Sequence, residues 1–354
     1  MIEPADETAL SEALAGAGGP LEIRGGGTRP VGRGEGEVLS TRALSGVKLY
    51  EPEALTLVVG AGTALAEVEA LLSAEGQRLA FEPMDHRALM GIVGEPTIGG
   101  MVAANISGPR RVQSGACRDH LLGVRFVDGA GRVLSNGGRV MKNVTGYDLV
   151  KLLAGSWGTL GVLSEVSLKV LPVPETFGTL RLPELDVSEG VQAMSAALGS
   201  PFEVTGAAWG PEGVSLRVEG FADQVAYRLG RLRDMLGGEV IDEDPWPAIR
   251  DVTDFAGQEG DVWRIHARPS AAPELAERIR GTELRMDWGG GLIWALCAPG
   301  HDLRADLGAF DGHARRERGL GPAFGARPSG VGALEQGIRQ RFDPRGILNP
   351  GRMS

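Results

Sequence analysis

The sequence predicts an α+β chain built in two parts, and three observations carry that expectation. The first 80 residues read helix–strand–loop–strand–strand–helix. Residues 94–162 form one block in which glycine and other small residues recur at every point where the chain should turn. After residue 174 the composition changes. There, strand–strand–helix followed by strand–helix–strand–helix predicts an antiparallel sheet with helices on one face.

Taken in order, residues 6–15 (DETALSEALA) read as a short helix, with Leu10 and Leu14 one turn apart and Gly16 as its stop. LEIR (21–24) reads as a strand running into Gly25-Gly26-Gly27-Thr28-Arg29-Pro30. The fingerprint GxGxxG leading into a helix is absent, because Pro30 and the glycine-rich VGRGEGE follow, which excludes a Rossmann unit here. VLST (38–41) and LTLVVGAG (55–62) read as strands, with YEPEA (50–54) as a turn between them. Thr63 is a candidate cap for a helix over 64–75 that places Leu65, Val68 and Leu72 on one face and stops at Gly76.

TIGGMVAAN (97–105) suits a glycine-rich turn entering a helix whose first N–H groups point at an anion. LLGVRFVD (121–128) and GRVLS (131–135) read as a hairpin around Gly129-Ala130. YDLVKLL (147–153) reads as a helical turn or two, and GVLSEVSLKVLPV (161–173) as a strand ending at Pro172 and Pro174. In the second part, 203–220 reads as two strands around Gly210-Pro211. Residues 222–238 read as a helix with Val225, Leu229, Leu232 and Leu236 on one face. Further strands are expected at 262–269 and 291–296, and helices at 273–281 and 302–310. The tail, 334–353, reads as a helix followed by an extended Pro/Gly segment.

Composition excludes several function classes. The chain has 354 residues, so two or three domains fit, and 42% apolar residues suffice for a sizeable core. A net charge of −10 argues against a general nucleic-acid binder. No apolar run approaches the roughly 18–20 residues that span a bilayer. The acidic start, MIEPADETALSEAL, lacks the apolar segment of a secretory signal, so a cytoplasmic location is expected. Cys117 and Cys297 read as two buried or half-buried thiols in a reducing compartment.

The chemistry points to a flat, phosphate-bearing ligand. Glycine lets main-chain N–H groups approach an anion without a Cβ in the way. The pairs Gly99–Gly100 and Gly137–Gly138, with Gly158 and Gly161, stand out. His86, His120, His266, His301 and His313 show no metal-ligand spacing, so no metal site is expected. His86, just before the glycine block, and Tyr147 are the catalytic candidates. Asp148 reads as a helix cap. Lys142 and Asn143 are either ligand contacts or solvated residues. Trp209, Trp246, Trp263, Trp288 and Trp294 each read singly as core packing; together they suggest an aromatic-rich surface suited to a partner.

The ordered set IRGGGT (23–28), EPTIGGMVAANISG (95–108), TGYDLVKLLAGSWGTLGVLSEV (145–166) and FDPRGILNPG (342–351) resembles the vanillyl-alcohol-oxidase-type, or PCMH-type, FAD-binding flavoproteins. SGPRRVQSGACRDHLLG (107–123) and GGRVMKNVTGYDL (137–149) are similar to the FAD-binding subunits of glycolate oxidase within that group. The resemblance implies a PCMH-type FAD-binding domain of two α+β subdomains over 1–173, a smaller α+β second domain with an antiparallel sheet over 174–325, and a segment, 326–354, that returns to the FAD domain. Gly25, Gly26, Gly27 and Thr28 match the family's first pyrophosphate loop. Thr97, Ile98, Gly99 and Gly100 match the second, with Asn105 in the segment after it. Gly158, Gly161 and Val162 match the stretch along the adenine-to-flavin path, Pro83 a proline next to the flavin, and Asn349 the Asn-Pro-Gly end.

Two departures shape what the resemblance implies. The first loop lacks the histidine of relatives with a linked flavin, which implies non-covalent FAD. No HxxDGNxH segment of the kind found in self-sufficient D-2-hydroxy-acid dehydrogenases is present. The leading expectation is therefore a subunit that works with a larger flavoprotein subunit and an iron–sulfur subunit, peripheral to the membrane through those partners. A self-sufficient flavin dehydrogenase for an alcohol or 2-hydroxy acid, and a non-catalytic subunit that holds FAD for assembly, are the alternatives.

Overall fold

The computed structural model describes residues 1–32, 34–138 and 146–353. Lys142 and Asn143 therefore lie outside the described residues. The first helix, Glu7–Ala15, starts where the Asp6 side chain accepts the Ala9 N–H at 2.8 Å, and it buries Leu10 and Leu14. The strand Leu21–Arg24 pairs in parallel with Glu37–Ser40. Two isolated bridges extend this small sheet, one from Ile2 to Leu39 and one from Leu21 to Leu348. The tail thus returns to the start of the chain.

The second layer of the first part is a five-stranded antiparallel sheet. Its order is Val47–Glu51, Thr56–Gly60, Val162–Lys169, Leu121–Val127, Val133–Gly137. The expected hairpin around Gly129-Ala130 is present. The strand Val47–Glu51 was not expected. It is an edge strand carrying Lys48 and Glu51 and is nowhere fully buried, so it lacks a strand's apolar signature. Helix Leu65–Ala74 covers the sheet through Leu65, Val68 and Leu72. Thr63 does not cap it. Ala64 occupies that position, while the Thr63 hydroxyl donates to the Gly60 carbonyl at 2.7 Å and accepts the Gly46 N–H at 3.0 Å.

The second part is one eight-stranded antiparallel sheet. Its order is Glu239–Ile241, Thr176–Leu182, Gly213–Gly220, Val204–Gly210, Glu283–Asp287, Leu292–Cys297, Asp261–Ala267, Gly312–Arg318. Helices Val187–Leu198, Ala222–Leu236 and Ala272–Arg278 pack on one face, as expected, in a core with Leu216, Val218, Trp263 and Ile265. Side chains alternate across a strand. Val262, Leu292, Trp294 and Leu296 accordingly face the other way, into the core of the first part beside Phe81, Met84 and Leu89.

That continuity overturns the expectation of an aromatic partner surface. Trp246, Trp263, Trp288 and Trp294 are buried, and Trp209 is half-buried. Three of the indoles spend their N–H inside the protein, Trp209 on the Leu185 carbonyl, Trp246 on the Thr179 hydroxyl and Trp288 on the Gly108 carbonyl. Arg217 adds a two-pronged bridge between the parts, donating to Glu82 at 2.9 and 2.8 Å. Among the described residues no helix is long and apolar enough to cross a membrane.

Candidate functional site

The glycine loops meet around a cavity of about 400 Å³ in the first part. The first loop, Gly25 to Thr28, leaves the small parallel sheet and packs hard against the second. A Cβ on Gly26 would overlap the Glu95 carbonyl, and one on Gly25 would overlap the Thr97 hydroxyl. Glycine is required there for close approach. The second loop enters helix Ile98–Ala103, with the Thr97 hydroxyl accepting the Gly100 N–H at 3.3 Å.

The two loops differ in what they can offer an anion. The N–H of Ile98 is taken by the Thr63 carbonyl at 3.0 Å and that of Gly99 by the Ala61 carbonyl at 2.7 Å. The expectation that this helix start presents its N–H groups to a ligand is thus corrected. Those donors brace the loop against its neighbours. In the first loop, by contrast, no acceptor among the described residues takes the N–H of Gly25, Gly26, Gly27 or Thr28. Unpaired main-chain donors are rare inside folded chains. Four in succession along a loop that lines the cavity leave main-chain donors available to an anion.

The other walls are mixed. Ala61, Leu65, Met84, Ala103, Trp157 and Val162 supply apolar surface, and Gly158 and Gly161 give the cavity depth. Gly161 also makes room for the Phe126 ring. Gly158 has φ +70°, and a Cβ there would sit 2.9 Å from the Asn349 amide nitrogen. Asn349, itself at φ +44°, lines the cavity from the returning tail. Arg29 and Arg352 line it too, and each keeps a buried Nε without a partner. Burial lowers the Arg29 pKa to about 10, which leaves it cationic at neutral pH. Its guanidinium donates to the Gly100 carbonyl at 3.3 Å and lies 3.2 Å from His86 Nδ1.

The structure brings together Gly25, Gly26, Gly27, Thr28, Thr97, Gly99, Gly100, Gly158, Gly161, Val162 and Asn349. It does not bring three others to the cavity. Ile98 is fully buried in the core, Pro83 is buried and does not line the cavity, and the Asn105 side chain accepts the Arg118 N–H at 3.0 Å. Tyr147 is 89% exposed and away from the cavity, whereas Asp148 does cap its helix, accepting the Lys151 N–H at 3.1 Å. His86 is buried against Arg29. Burial, followed by the charges of Arg29 and Arg264, holds its pKa well below the ordinary imidazole value. Arg29, Met84, Trp157 and Arg352 were missed in sequence. Arg29 stands two residues after the glycine run, so a lone arginine beside such a loop was the available signal. Among the described residues, no group of three or more His, Cys, Asp or Glu could hold a metal ion.

Free N–H donors, a half-buried cation and an apolar slot in one cavity fit a dinucleotide whose diphosphate and ring need different surroundings. Residues 1–137 match the family described as FAD binding domain. Over 98% of its length the chain also superposes on alkyldihydroxyacetonephosphate synthase, covering 75% of that chain with a TM-score of 0.66 at 18% identity, so the two share a fold. Fold and site define a PCMH-type flavoprotein of the α+β class, an FAD-dependent oxidoreductase. The chain is 36% identical over 341 residues to glycolate oxidase subunit GlcE of Escherichia coli (strain K12), covering 94% of this chain and 92% of that one, and it belongs to that family. A D-lactate dehydrogenase of Archaeoglobus fulgidus is 30% identical over 190 residues, 52% of this chain and 41% of its own length.

Proposed function

We propose that the chain is the FAD-binding subunit of a glycolate oxidase complex and takes part in oxidising a 2-hydroxy acid to the 2-oxo acid. The observation that carries this reading is the similarity to GlcE across 94% of the chain. The unpaired donors of Gly25 to Thr28 support it. They would hold the cofactor's diphosphate, with Thr97, Gly99, Gly100, Gly158 and Asn349 shaping the walls. Residues 1–173 and 326–354 would form the FAD unit and 174–325 the second unit. FAD, when bound, supplies the two-electron acceptor. The hydroxyl proton needs an acceptor of its own, and His86, whose Nδ1 lies 3.2 Å from the cavity-lining Arg29, is the candidate.

The first loop carries no histidine, cysteine or tyrosine that could link to the flavin, so FAD is held non-covalently. Two cysteines are too few for a four-ligand iron–sulfur cluster, and both are buried free thiols. Electrons therefore leave to a partner, which we take to be the larger flavoprotein subunit and the iron–sulfur subunit, in the cytoplasm at the membrane surface. Dye-linked glycolate oxidation tests the reading. The complex is expected to turn over, and the lone chain to turn over slowly or not at all. Full activity from the lone chain would instead support a self-sufficient dehydrogenase, and a complex in which this chain's FAD never reduces would support a purely structural role.

A further inference from the structure

The face of the eight-stranded sheet that meets the FAD unit carries an imbalance of buried charge. Along Asp261–Ala267, Trp263 and Ile265 point to the helix-covered core, so Arg264 and His266 point to the FAD unit. The register sets Arg264 opposite Trp294 on one neighbouring strand and opposite Arg315 on the other. Like charges directly opposite on adjacent strands are destabilising. Arg315 is compensated, since it donates through Nε to Glu317 at 2.8 Å, and it stacks on Trp157 with its guanidinium carbon 4.9 Å from the ring centre.

Arg264 is different. It is 9% exposed, and among the described residues its guanidinium has no hydrogen bond and no carboxylate partner within ion-pair distance. Its guanidinium lies 5.2 Å from the Trp288 ring centre and 5.6 Å from that of Trp294. Those two indoles hold the group in place without neutralising it. Across the boundary, Arg29 adds a further positive charge beside His86. His266 and His313 stack with ring centres 4.6 Å apart, and burial followed by neighbouring arginine charge keeps both neutral. The charges that act most strongly on Arg264 are three arginines, Arg315, Arg111 and Arg29, against the one carboxylate of Glu317, and the buried Asp287 on the same face makes no ion pair with it. A buried charge left unpaired costs several kcal/mol in general. A cluster that keeps one is built for an anion that arrives from outside.

We propose that Arg264 is the docking group for the carboxylate of a small 2-hydroxy acid, bound between the second sheet and the FAD unit. This rests on the functional reading above and deepens it, because it assigns substrate recognition to this chain and not to a partner subunit. A guanidinium pairs with a carboxylate through two parallel N–H bonds. Trp288 and Trp294 beside it limit the size of acid that fits.

The test is glycolate titration of the FAD-loaded chain, read by tryptophan fluorescence and by calorimetry, with ethylene glycol as the uncharged control. Glycolate is expected to bind and ethylene glycol not. Arg264→Gln should raise the glycolate Kd at least about tenfold with FAD content unchanged, and Arg264→Lys, which keeps the charge without the fork, should fall between. Should the glutamine variant fail to fold, the lysine variant alone reads the effect. Equal binding of ethylene glycol, wild-type glycolate affinity in the folded Arg264 variant, or loss of FAD in both variants would overturn the proposal; the last would assign Arg264 to the cofactor's phosphates. Arg264-dependent glycolate binding without flavin reduction in the complex would uphold the docking site and reject the oxidase reading. Flavin reduction with unchanged KM in the Arg264→Gln complex would do the reverse.

Discussion

The side chain of Asn349 accepts the main-chain N–H of Ile23 at 2.8 Å, one residue before the strand ends and runs into the glycine loop. Its other end donates to the Trp157 carbonyl at 2.7 Å. One amide therefore holds three segments at the edge of the cavity. Asn349→Ala removes both bonds and leaves the half-buried Ile23 N–H and the buried Trp157 carbonyl unpaired, a loss of about 1–3 kcal/mol for the buried group before relaxation. The expected outcome is a lower melting temperature together with weaker FAD binding. Asn349→Asp keeps the acceptor and loses the donor, so it should fall between. Wild-type melting and wild-type FAD affinity in Asn349→Ala would refute the role.

Gly26 and Gly100 should respond to substitution in opposite ways. At Gly26 a methyl group overlaps the Glu95 carbonyl, so Gly26→Ala should force the two loops apart and destabilise the fold itself, by about 1–3 kcal/mol as overpacking commonly does. Gly100 lies in a helix, not in the left-handed region, and a Cβ there meets only the Thr97 hydroxyl at 3.2 Å. Gly100→Val should therefore melt near wild type and lose FAD affinity, because its side chain enters the cavity. Denaturant unfolding of the apo chain, followed by FAD titration, separates the two effects. Equal behaviour of the two variants would count against the distinction.

The purified chain should be yellow, and acid or heat precipitation should release its FAD into the supernatant. Flavin that remains with the precipitated polypeptide would exclude the non-covalent assignment.

Asp287 is 4% exposed, and its carboxylate accepts the Trp288 N–H at 2.7 Å. Burial raises its pKa from 3.8 to about 7. For an acid whose folded pKa is raised, the folded state holds its proton while the unfolded state has lost it. Its contribution to stability is therefore fully present below pH 3.8 and is lost as pH rises through about 7. Asp287→Asn keeps an acceptor and cannot ionise. It should be more stable than wild type at pH 8, by roughly 2–4 kcal/mol on the scale of 1.4 kcal/mol per pKa unit, and nearly equal at pH 4. Melting curves at the two pH values check this, and a gain that is the same at both would refute it.

The glycine loops and most strands of the first part were legible because close approach and turning demand particular residues. Gly25 to Thr28 announce themselves regardless of tertiary context. The face now built around Arg264 was not legible, for the same physical reason that makes it informative. The segment GHARRER, Gly312–Arg318, carries a run of charges that ordinarily marks a solvated surface, yet Arg315, Arg316 and Glu317 are buried, although the strand lies at the edge of its sheet and pairs only with Asp261–Ala267. Thr176–Leu182 and Glu283–Asp287 were missed because glycine or charge interrupts their alternation. The division of labour between the loops was also hidden. Only the fold reveals that Thr63 and Ala61 occupy the donors of the second loop and leave those of the first free.

The bond between Ile23 and Asn349 joins positions 326 residues apart. Contacts of that separation form late, because the intervening chain must be ordered before its ends can meet. The whole eight-stranded sheet lies between the two halves of the cavity. A nascent chain emerging from the ribosome would thus expose the glycine loop long before the segment that closes it is made. Cofactor loading becomes a terminal event of biosynthesis, and the chain must be kept from aggregating while it waits.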